Sequence, residues 1–186
     1  MRLFVAIEIP AEIRKALAVF LRELRGIAPQ AKWVRAENMH VTLKFLGETE
    51  PTRVRAIEKA LGSIRSGQPV TLEFRGLGCF PNEERPRVFW AGMETSGNLK
   101  TLAEEIDQGL HKLGFPLEDR PFTPHLTLAR FDPPGLPAKL GSVVAENSSR
   151  SFGALSANQF HLIESKLKPT GAEYTTVQSF AFVTEF

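Results

Sequence analysis

Apolar and polar residues follow two different patterns along this chain, and these patterns predict its helices and strands. Apolar residues at spacings of three and four predict helices at residues 11–26, 51–65 and 97–114, with a weaker helix at 135–149. Short runs of β-branched and aromatic residues predict strands at residues 2–9, 32–35, 39–46, 70–80, 87–93, 125–131, 158–167 and 173–182. This spacing of strands and helices predicts an α+β protein whose sheets are covered by helices on one face.

Part of the pattern occurs twice, in one order. The stretches "HVTLKFL" (residues 40–46) and "HLTLARF" (125–131) share His-x-Thr-Leu and lie 85 residues apart. The same offset aligns "RLFVA" with "RVFWA", and two apolar helix positions with their counterparts, Leu17 with Leu102 and Leu21 with Ile106. A strand, a helix and a His-x-Thr-Leu strand therefore repeat. We expect two similar α+β lobes, related by an approximate two-fold axis, within a single domain over residues 1–186.

The repeated motif places polar side chains on one face of each strand. Residues i and i+2 of a strand point to the same side, so His40 and Thr42 share a face, as do His125 and Thr127. On strict alternation, the residues that face the core are Val41, Leu43, Phe45, Leu126 and Leu128. If a two-fold axis relates the lobes, the polar faces converge on one cleft with two imidazoles and two hydroxyls.

Such a set of groups suits phosphodiester chemistry. One neutral histidine takes a proton from an attacking oxygen, while the other, protonated, gives a proton to the leaving oxygen. The threonine hydroxyls donate hydrogen bonds to the non-bridging oxygens of the phosphoryl group. No metal and no cofactor are required, because the leaving oxygen is protonated directly. This argument gives the pair of histidines but leaves open which of them does which task.

Composition is consistent with this chemistry and bears on the ligand, on disulfides and on the cellular compartment. A net charge of +2 and a pI near 8.8 suit an anionic ligand, but they are too weak to indicate non-specific binding along a nucleic acid. The single cysteine, Cys79, excludes an internal disulfide, and it lies in an apolar run that predicts a buried position. The first residues lack a signal-peptide pattern and no apolar run is long enough for a membrane span. We expect a cytoplasmic monomer with no membrane association.

Two further features have competing interpretations. A zinc site built from the four histidines, including His111 and His161, is disfavoured because no His-x₃-His or Cys-x₂-Cys spacing occurs. His111 is expected on the protein surface, while His161 could face either way. Arg130 is a candidate contact to phosphate or base. Strict alternation places it opposite His125, unless the strand ends or bulges there, and a surface arginine is the alternative. The aromatic residues expected in the core rather than in base stacking are Phe45, Phe80, Phe122 and Phe131.

The doubled His-x-Thr motif, together with "MRLFVAIEIP" and "PFTPHLTLARF", resembles the 2H phosphoesterase superfamily. Within it, the chain is most similar to the bacterial and archaeal RNA 2′,3′-cyclic phosphodiesterases, formerly called 2′-5′ RNA ligases. The resemblance implies two lobes of antiparallel sheet around a central cleft, and hydrolysis of an RNA 2′,3′-cyclic phosphate end to a 2′-phosphate. It also implies that His40 is the proton donor, that His125 is the proton acceptor, and that Thr42 and Thr127 bind phosphate. Arg130 matches a position near the nucleotide.

Alternatives to this function remain open at the level of sequence. Related enzymes of the superfamily act on nucleotide cyclic phosphates or on 2′-5′ oligonucleotides. The motif cannot distinguish these substrates, because its residues are expected to contact only the phosphodiester. The same site run backwards would join RNA ends through a 2′-5′ linkage. A non-catalytic RNA-binding module is a further alternative, since small α+β sheets with exposed aromatic residues bind RNA by stacking. Against that alternative, the aromatic residues here alternate into the core.

Overall fold

Nine strands form two antiparallel sheets in the part of the chain that the computed structural model describes, residues 1–135, 137–169 and 171–183. The strands are β1 (Arg2–Glu8), β2 (Lys32–Trp33), β3 (His40–Glu48), β4 (Val70–Phe80), β5 (Val88–Thr95), β6 (His125–Arg130), β7 (Ser151–Ala157), β8 (Gln159–Lys168) and β9 (Gly171–Ala181). The first sheet has the strand order β3-β1-β8-β9, and the second sheet has the order β2-β6-β5-β4-β7. The α+β fold with two antiparallel sheets is therefore confirmed.

Four helices cover the sheets, and each of them buries an apolar stripe. They are α1 (Ala11–Ile27), α2 (Val54–Leu61), α3 (Asn98–His111) and α4 (Ala138–Glu146), with short 3₁₀ turns at Ala36–Asn38 and Pro51–Arg53. The buried residues of α1 are Ile13, Leu17, Phe20, Leu21 and Leu24, the positions that the spacing of three and four predicts. The ring of Phe20 packs 5.1 Å from that of Phe152 in β7, so α1 covers the second sheet.

The two halves of the chain interlock. Helix α1 follows a strand of the first sheet but packs on the second, whereas α3 follows a strand of the second sheet and packs on β3 of the first. Strand β4 leaves the first half to pair with β5, and β8 leaves the second half to pair with β1. The repeat therefore extends beyond the motif. Adding 85 to the residue numbers of α2 gives residues 139–146 of α4, and adding 85 to those of β4 gives a range that overlaps much of β8. The repeat is real in element order and in pairing.

Three elements differ from the sequence-based expectation. β7 was not predicted, because "SFGALSA" contains small residues and a glycine at φ +124° rather than a clear apolar alternation. The strand expected at 32–35 is reduced to the two residues of β2. The helix expected at 135–149 is present only as α4, and Leu136 lies outside the described residues.

Candidate active site

The two His-x-Thr pairs lie on neighbouring strands of different sheets. β3 carries His40 and Thr42, β6 carries His125 and Thr127, and Cα atoms of the two strands approach within 8 Å. In the pairing register, His40 lies opposite Glu8 and Thr42 lies opposite Ala6 of β1. On the second sheet the corresponding partners in β5 are Gly92 and Trp90. Because directly opposed residues share a face of a sheet, these partners form the floor of the site.

Both imidazoles are held by the same backbone contact. Nδ1 of His40 donates to the carbonyl oxygen of Asn38 at 2.7 Å, and Nδ1 of His125 donates to that of Thr123 at 2.8 Å. In each case the carbonyl belongs to the residue two positions earlier. A carbonyl only accepts, so the proton of each neutral ring sits on Nδ1 and the lone pair sits on Nε2. Among the described residues neither imidazole has a second hydrogen-bond partner, and neither Nε2 is sealed from solvent.

The threonine hydroxyls are also available to a ligand. Within the described part of the chain, neither Thr42 nor Thr127 uses its hydroxyl in a hydrogen bond, and both side chains are only partly buried. Each hydroxyl lies one strand repeat, about 7 Å along the chain, from an imidazole on the same face. The arrangement therefore presents two bases or acids and two hydrogen-bond donors to one cleft.

Aromatic side chains support the two histidines differently. The ring of His40 lies 4.6 Å from that of Phe4 and 5.2 Å from that of Tyr174 in β9. The ring of His125 meets that of Phe80 at 5.1 Å and 90°. Phe80 in turn packs 5.1 Å from Trp90. The expectation that Phe80 is a core residue is therefore only partly correct, since its ring also supports a histidine of the site.

The Trp90 indole lies flat on the second sheet because two glycines make room for it. A Cβ atom on Gly78 would come within 2.3 Å of the Trp90 ring, and one on Gly92 would meet the ring at 3.3 Å. Gly78 lies directly opposite Trp90 in the register of β4 and β5. The absence of a side chain at the glycines thus lets the Trp90 ring pack close to the sheet. Trp90 contacts Phe80, and Phe80 contacts His125.

Matching β-bulges bring two more side chains to the cleft and correct the prediction made from strict alternation. In β3 an irregularity at Leu43 places Lys44 opposite Val5 and Phe45 opposite Phe4, so Phe45 leaves the core face and is 60% exposed. The prediction that Phe45 is a core residue is wrong for this reason. The residue pattern held one signal of it, the lysine in the middle of "HVTLKFL".

The bulge in β6 has the same effect on Arg130. The register of β5 and β6 shifts after Phe89, which returns Arg130 to the face that carries Thr127. The charge of Arg130 acts on Tyr174 of the first sheet, where burial raises the pKa of the phenol and Arg130 opposes that rise. Arg130 is therefore near enough to the first sheet for its charge to act on Tyr174. The 85-residue offset carries Phe45 onto Arg130, so one bulge position presents an aromatic ring and its counterpart presents a guanidinium.

A model of the LigT-like phosphoesterase family matches residues 7–90 and 93–174. The chain belongs to this family. It is 38% identical over 180 residues to the RNA 2′,3′-cyclic phosphodiesterase of Archaeoglobus fulgidus, covering 97% of this chain and 99% of that protein. The corresponding protein of Methanocaldococcus jannaschii is 36% identical over 180 residues, covering 96% of this chain and 99% of that one.

Solved structures agree with this assignment. The crystal structure of TT0787 from Thermus thermophilus matches this LigT-like phosphoesterase with a TM-score of 0.81 and 34% identity, covering 100% of both chains. Escherichia coli LigT complexed with 3′-AMP matches with a TM-score of 0.77 and 29% identity, covering 99% of this chain and 98% of that one. The membership of the 2H phosphoesterases that the doubled motif indicates is confirmed, and the chain is an enzyme of this type.

Burial governs the protonation of the histidine on the first sheet of this phosphoesterase. It lowers the pKa of His40 to about 4, while the Asn38 carbonyl and the Glu8 carboxylate both act to raise it. A hydroxyl hydrogen bond of 3.0 Å from Thr176 to Oε1 holds the Glu8 side chain. The imidazole of His40 is therefore neutral in the free protein at neutral pH.

The other histidines do not form a metal centre with the pair. His161 lies opposite Ala6, on the cleft face of the first sheet, and its Nδ1 is 2.9 Å from the Ser179 hydroxyl. His111 ends α3 as an exposed residue, as expected, with Nδ1 donating to the Phe115 carbonyl at 3.0 Å. Among the described residues, no three His, Cys, Asp or Glu side chains are grouped closely enough to hold a metal ion.

Two features outside the cleft bear on the remaining expectations. The described part of the chain contains no helix long and apolar enough to cross a membrane. Cys79 is buried, as the apolar run around it predicts, and burial raises the pKa of its thiol to about 11. A thiol in that state is a weak nucleophile at neutral pH.

Proposed function

We propose that this protein hydrolyses the 2′,3′-cyclic phosphate at the end of an RNA chain to a 2′-phosphate, without a metal ion. The observation that carries the proposal is the pair of imidazoles on the neighbouring strands β3 and β6, each held through Nδ1, which leaves Nε2 of each ring for a ligand. The names of the full-length relatives supply the substrate class, since the motif alone reads only a phosphodiester.

Two proton transfers and one bond exchange complete the reaction. Nε2 of His125 accepts a proton from water as the water oxygen bonds to phosphorus. The bond from phosphorus to the 3′ oxygen breaks, and the proton on Nε2 of His40 moves to that oxygen. The products are a 2′-phosphate and a 3′-hydroxyl, with His125 protonated and His40 neutral until solvent restores both. Thr42 and Thr127 donate to the non-bridging oxygens, where negative charge is concentrated.

His40 can be the proton donor only if the substrate changes its charge state. In the free protein its low pKa leaves it neutral. A phosphodiester carries a negative charge, and a negative charge within about 4–6 Å favours the protonated imidazole. Binding of the substrate therefore charges His40, and the donor role belongs to the complex rather than to the free protein.

The nucleotide that carries the phosphate has room beside the motif residues. Phe45 presents an exposed ring on the cleft face next to Phe4, at 6.0 Å between ring centroids. Arg130 faces it from the second sheet, and a guanidinium stacks on a base or binds phosphate. These two side chains support an RNA end or a small cyclic nucleotide as the substrate. The reverse reaction, in which an RNA hydroxyl replaces water, would give a 2′-5′ linkage at the same site.

The deciding experiment is incubation with a short RNA that ends in a 2′,3′-cyclic phosphate, in the presence of EDTA. We expect a product heavier by one water that resists enzymes requiring a 3′-phosphate. His40→Ala and His125→Ala should each lower the rate by about 100-fold or more, the usual contribution of a general acid or base. His111→Gln, at the exposed end of α3, is the matched control and should keep full activity. A 3′-phosphate product, no turnover, or an active double mutant would overturn the proposal.

A further inference from the structure

The two halves of the site are equivalent in their histidines and threonines but not in the residues beside them. Glu8 of β1 lies opposite His40, whereas the 85-residue offset carries Glu8 onto Met93 in β5. The residue directly opposite His125 is Gly92. In the strand register of the described residues, His40 thus has a carboxylate beside it and His125 has none. This difference breaks the symmetry of the pair.

The Glu8 carboxylate accepts a side-chain hydrogen bond, and its charge acts on two imidazoles. Its Oε1 accepts the Thr176 hydroxyl at 3.0 Å, a contact that crosses the concave face of the first sheet from β9 to β1. Its charge acts on both His40 and His161, since it raises the pKa of each against the lowering effect of burial. His161 is itself fixed by Ser179. The carboxylate is exposed, and the Thr176 hydroxyl holds it on the face of the sheet that carries His40.

The charged groups around His40 come from every neighbouring element, and only one of them is a carboxylate that acts on it. Around the aromatic cluster of His40 and Tyr174 lie Arg2 of β1, Arg130 of β6 and His161 of β8. The charges of the two arginines act on Tyr174. Glu8 is the group among the described residues whose charge favours it.

We propose that Glu8 is a positioning residue that makes His40, rather than His125, the proton-donating member of the pair. A carboxylate beside an imidazole stabilises the imidazolium form and so retains a proton for delivery to the leaving oxygen. The bound phosphodiester adds a second negative charge to the same histidine. Together they offset the burial of His40, while His125 has no such partner in register and is left to accept a proton. This inference rests on the proposed function.

Direct titration of the histidines separates this proposal from the proposed function. The Cε1 protons of the four histidines are followed by NMR against pH in the free protein, with signals assigned from single His→Gln variants. Glu8→Gln should lower the pKa of His40 by about half a unit or more, and should leave His125 unchanged. Thr176→Val, which releases the carboxylate, should move His40 in the same direction by a smaller amount. This measurement needs no substrate.

Matched variants control for general charge and fold effects. Glu12→Gln removes the same charge from the exposed first turn of α1, and Thr175→Val makes the same change one residue away on the other face of β9. Neither should move His40. Glu8→Asp keeps the charge and should restore most of the titration. On RNA cyclic phosphate, Glu8→Gln should lower kcat by about tenfold, a fraction of a full general-acid contribution, and leave KM near the wild-type value.

An unchanged titration of His40 in Glu8→Gln would overturn the proposal, whatever the activity. An equal shift in Glu12→Gln would overturn it as well, because the effect would then be one of net charge. A wild-type protein inactive on RNA cyclic phosphate, with the titration shifted as expected, would overturn the proposed substrate and leave the effect of Glu8 on His40 standing.

Discussion

Lys44 offers the sharpest test of how the bulge in β3 is held. The bulge turns this lysine away from the cleft and into the protein, where its side chain is 2% exposed. Its ammonium forms a short ion pair with Asp107 of α3 and donates to the Pro116 carbonyl at 2.8 Å. The exposed Glu118 carboxylate lies 3.5 Å away. The counterpart of Lys44 in β6 is Ala129, so a bulge of this kind does not itself require a lysine.

The cost of removing the ammonium follows from the burial of both partners. Breaking a buried pair by deleting one ion costs about 3–5 kcal/mol, because the other charge is left without compensation. Asp107 is 17% exposed and keeps a hydrogen bond of 3.2 Å from the Glu118 amide, which places the expected loss near the lower limit. We therefore expect Lys44→Met to lower the free energy of unfolding by about 3 kcal/mol. For a chain of this size that corresponds to a fall in Tm of about 6–12 °C.

The assay is equilibrium urea unfolding, followed by tryptophan fluorescence and by circular dichroism. Lys100→Met is the control, since its Nζ lies 3.8 Å from Glu104 on the exposed face of α3 and should contribute under about 1 kcal/mol. The double variant K44M/D107L should recover most of the loss, because an apolar pair leaves no buried charge. A loss below about 0.5 kcal/mol for Lys44→Met, the range of an ordinary surface substitution, would refute the reasoning.

Two further predictions concern the second sheet and the acid range. Gly78→Ala places a methyl group where the Trp90 ring lies, and should lower the free energy of unfolding by about 1–3 kcal/mol. It should also lower kcat, because Phe80 would be displaced from His125. Gly26→Ala, with nothing within 4 Å of its Cβ, should have neither effect. Unfolding free energies and rates of both variants decide this. Because the unfolded chain protonates His40 near pH 6.5 and the folded chain near pH 4, stability should fall as pH drops through this interval, by about 3 kcal/mol from this group. His40→Gln should remove that part of the slope in urea titrations at successive pH values, and an unchanged slope would contradict it.

Much of the fold could be predicted because local patterns and the final structure agree. The buried stripe of α1 is the one that its spacing predicts, and the doubled His-x-Thr-Leu strands are neighbours across the cleft. β7 escaped prediction because its small residues give no clear alternation, and because its buried Phe152 packs on Phe20 of α1, a tertiary contact that no short window of sequence contains. The motif residues could be placed on one face of each strand because side chains two apart on a strand share a face.

The prediction for Phe45 is wrong because a bulge reverses that rule, whereas Arg130 takes the face of Thr127 through the bulge that its prediction left open. One extra residue at Leu43 moves Lys44 into the core and Phe45 into the cleft, and the shift in β6 does the same for Arg130. Strict alternation cannot detect a bulge, because a bulge depends on how neighbouring strands pair.

The repeat explains the pairing of the two His-x-Thr motifs, but in the proposed mechanism a perfect repeat would give the reaction no direction. Two identical histidines in identical surroundings would accept and donate protons equally well, whereas hydrolysis needs one of each at a time. The chain departs from its own repeat beside those groups: Glu8 against Met93 near the histidines, and Phe45 against Arg130 at the bulges. In the proposed mechanism, the first difference assigns the proton to His40, and the second gives the bound nucleotide unlike neighbours on its two sides. On that proposal, the geometry shared by the two copies supplies the two acid–base groups, and the differences beside them decide which histidine donates and which accepts.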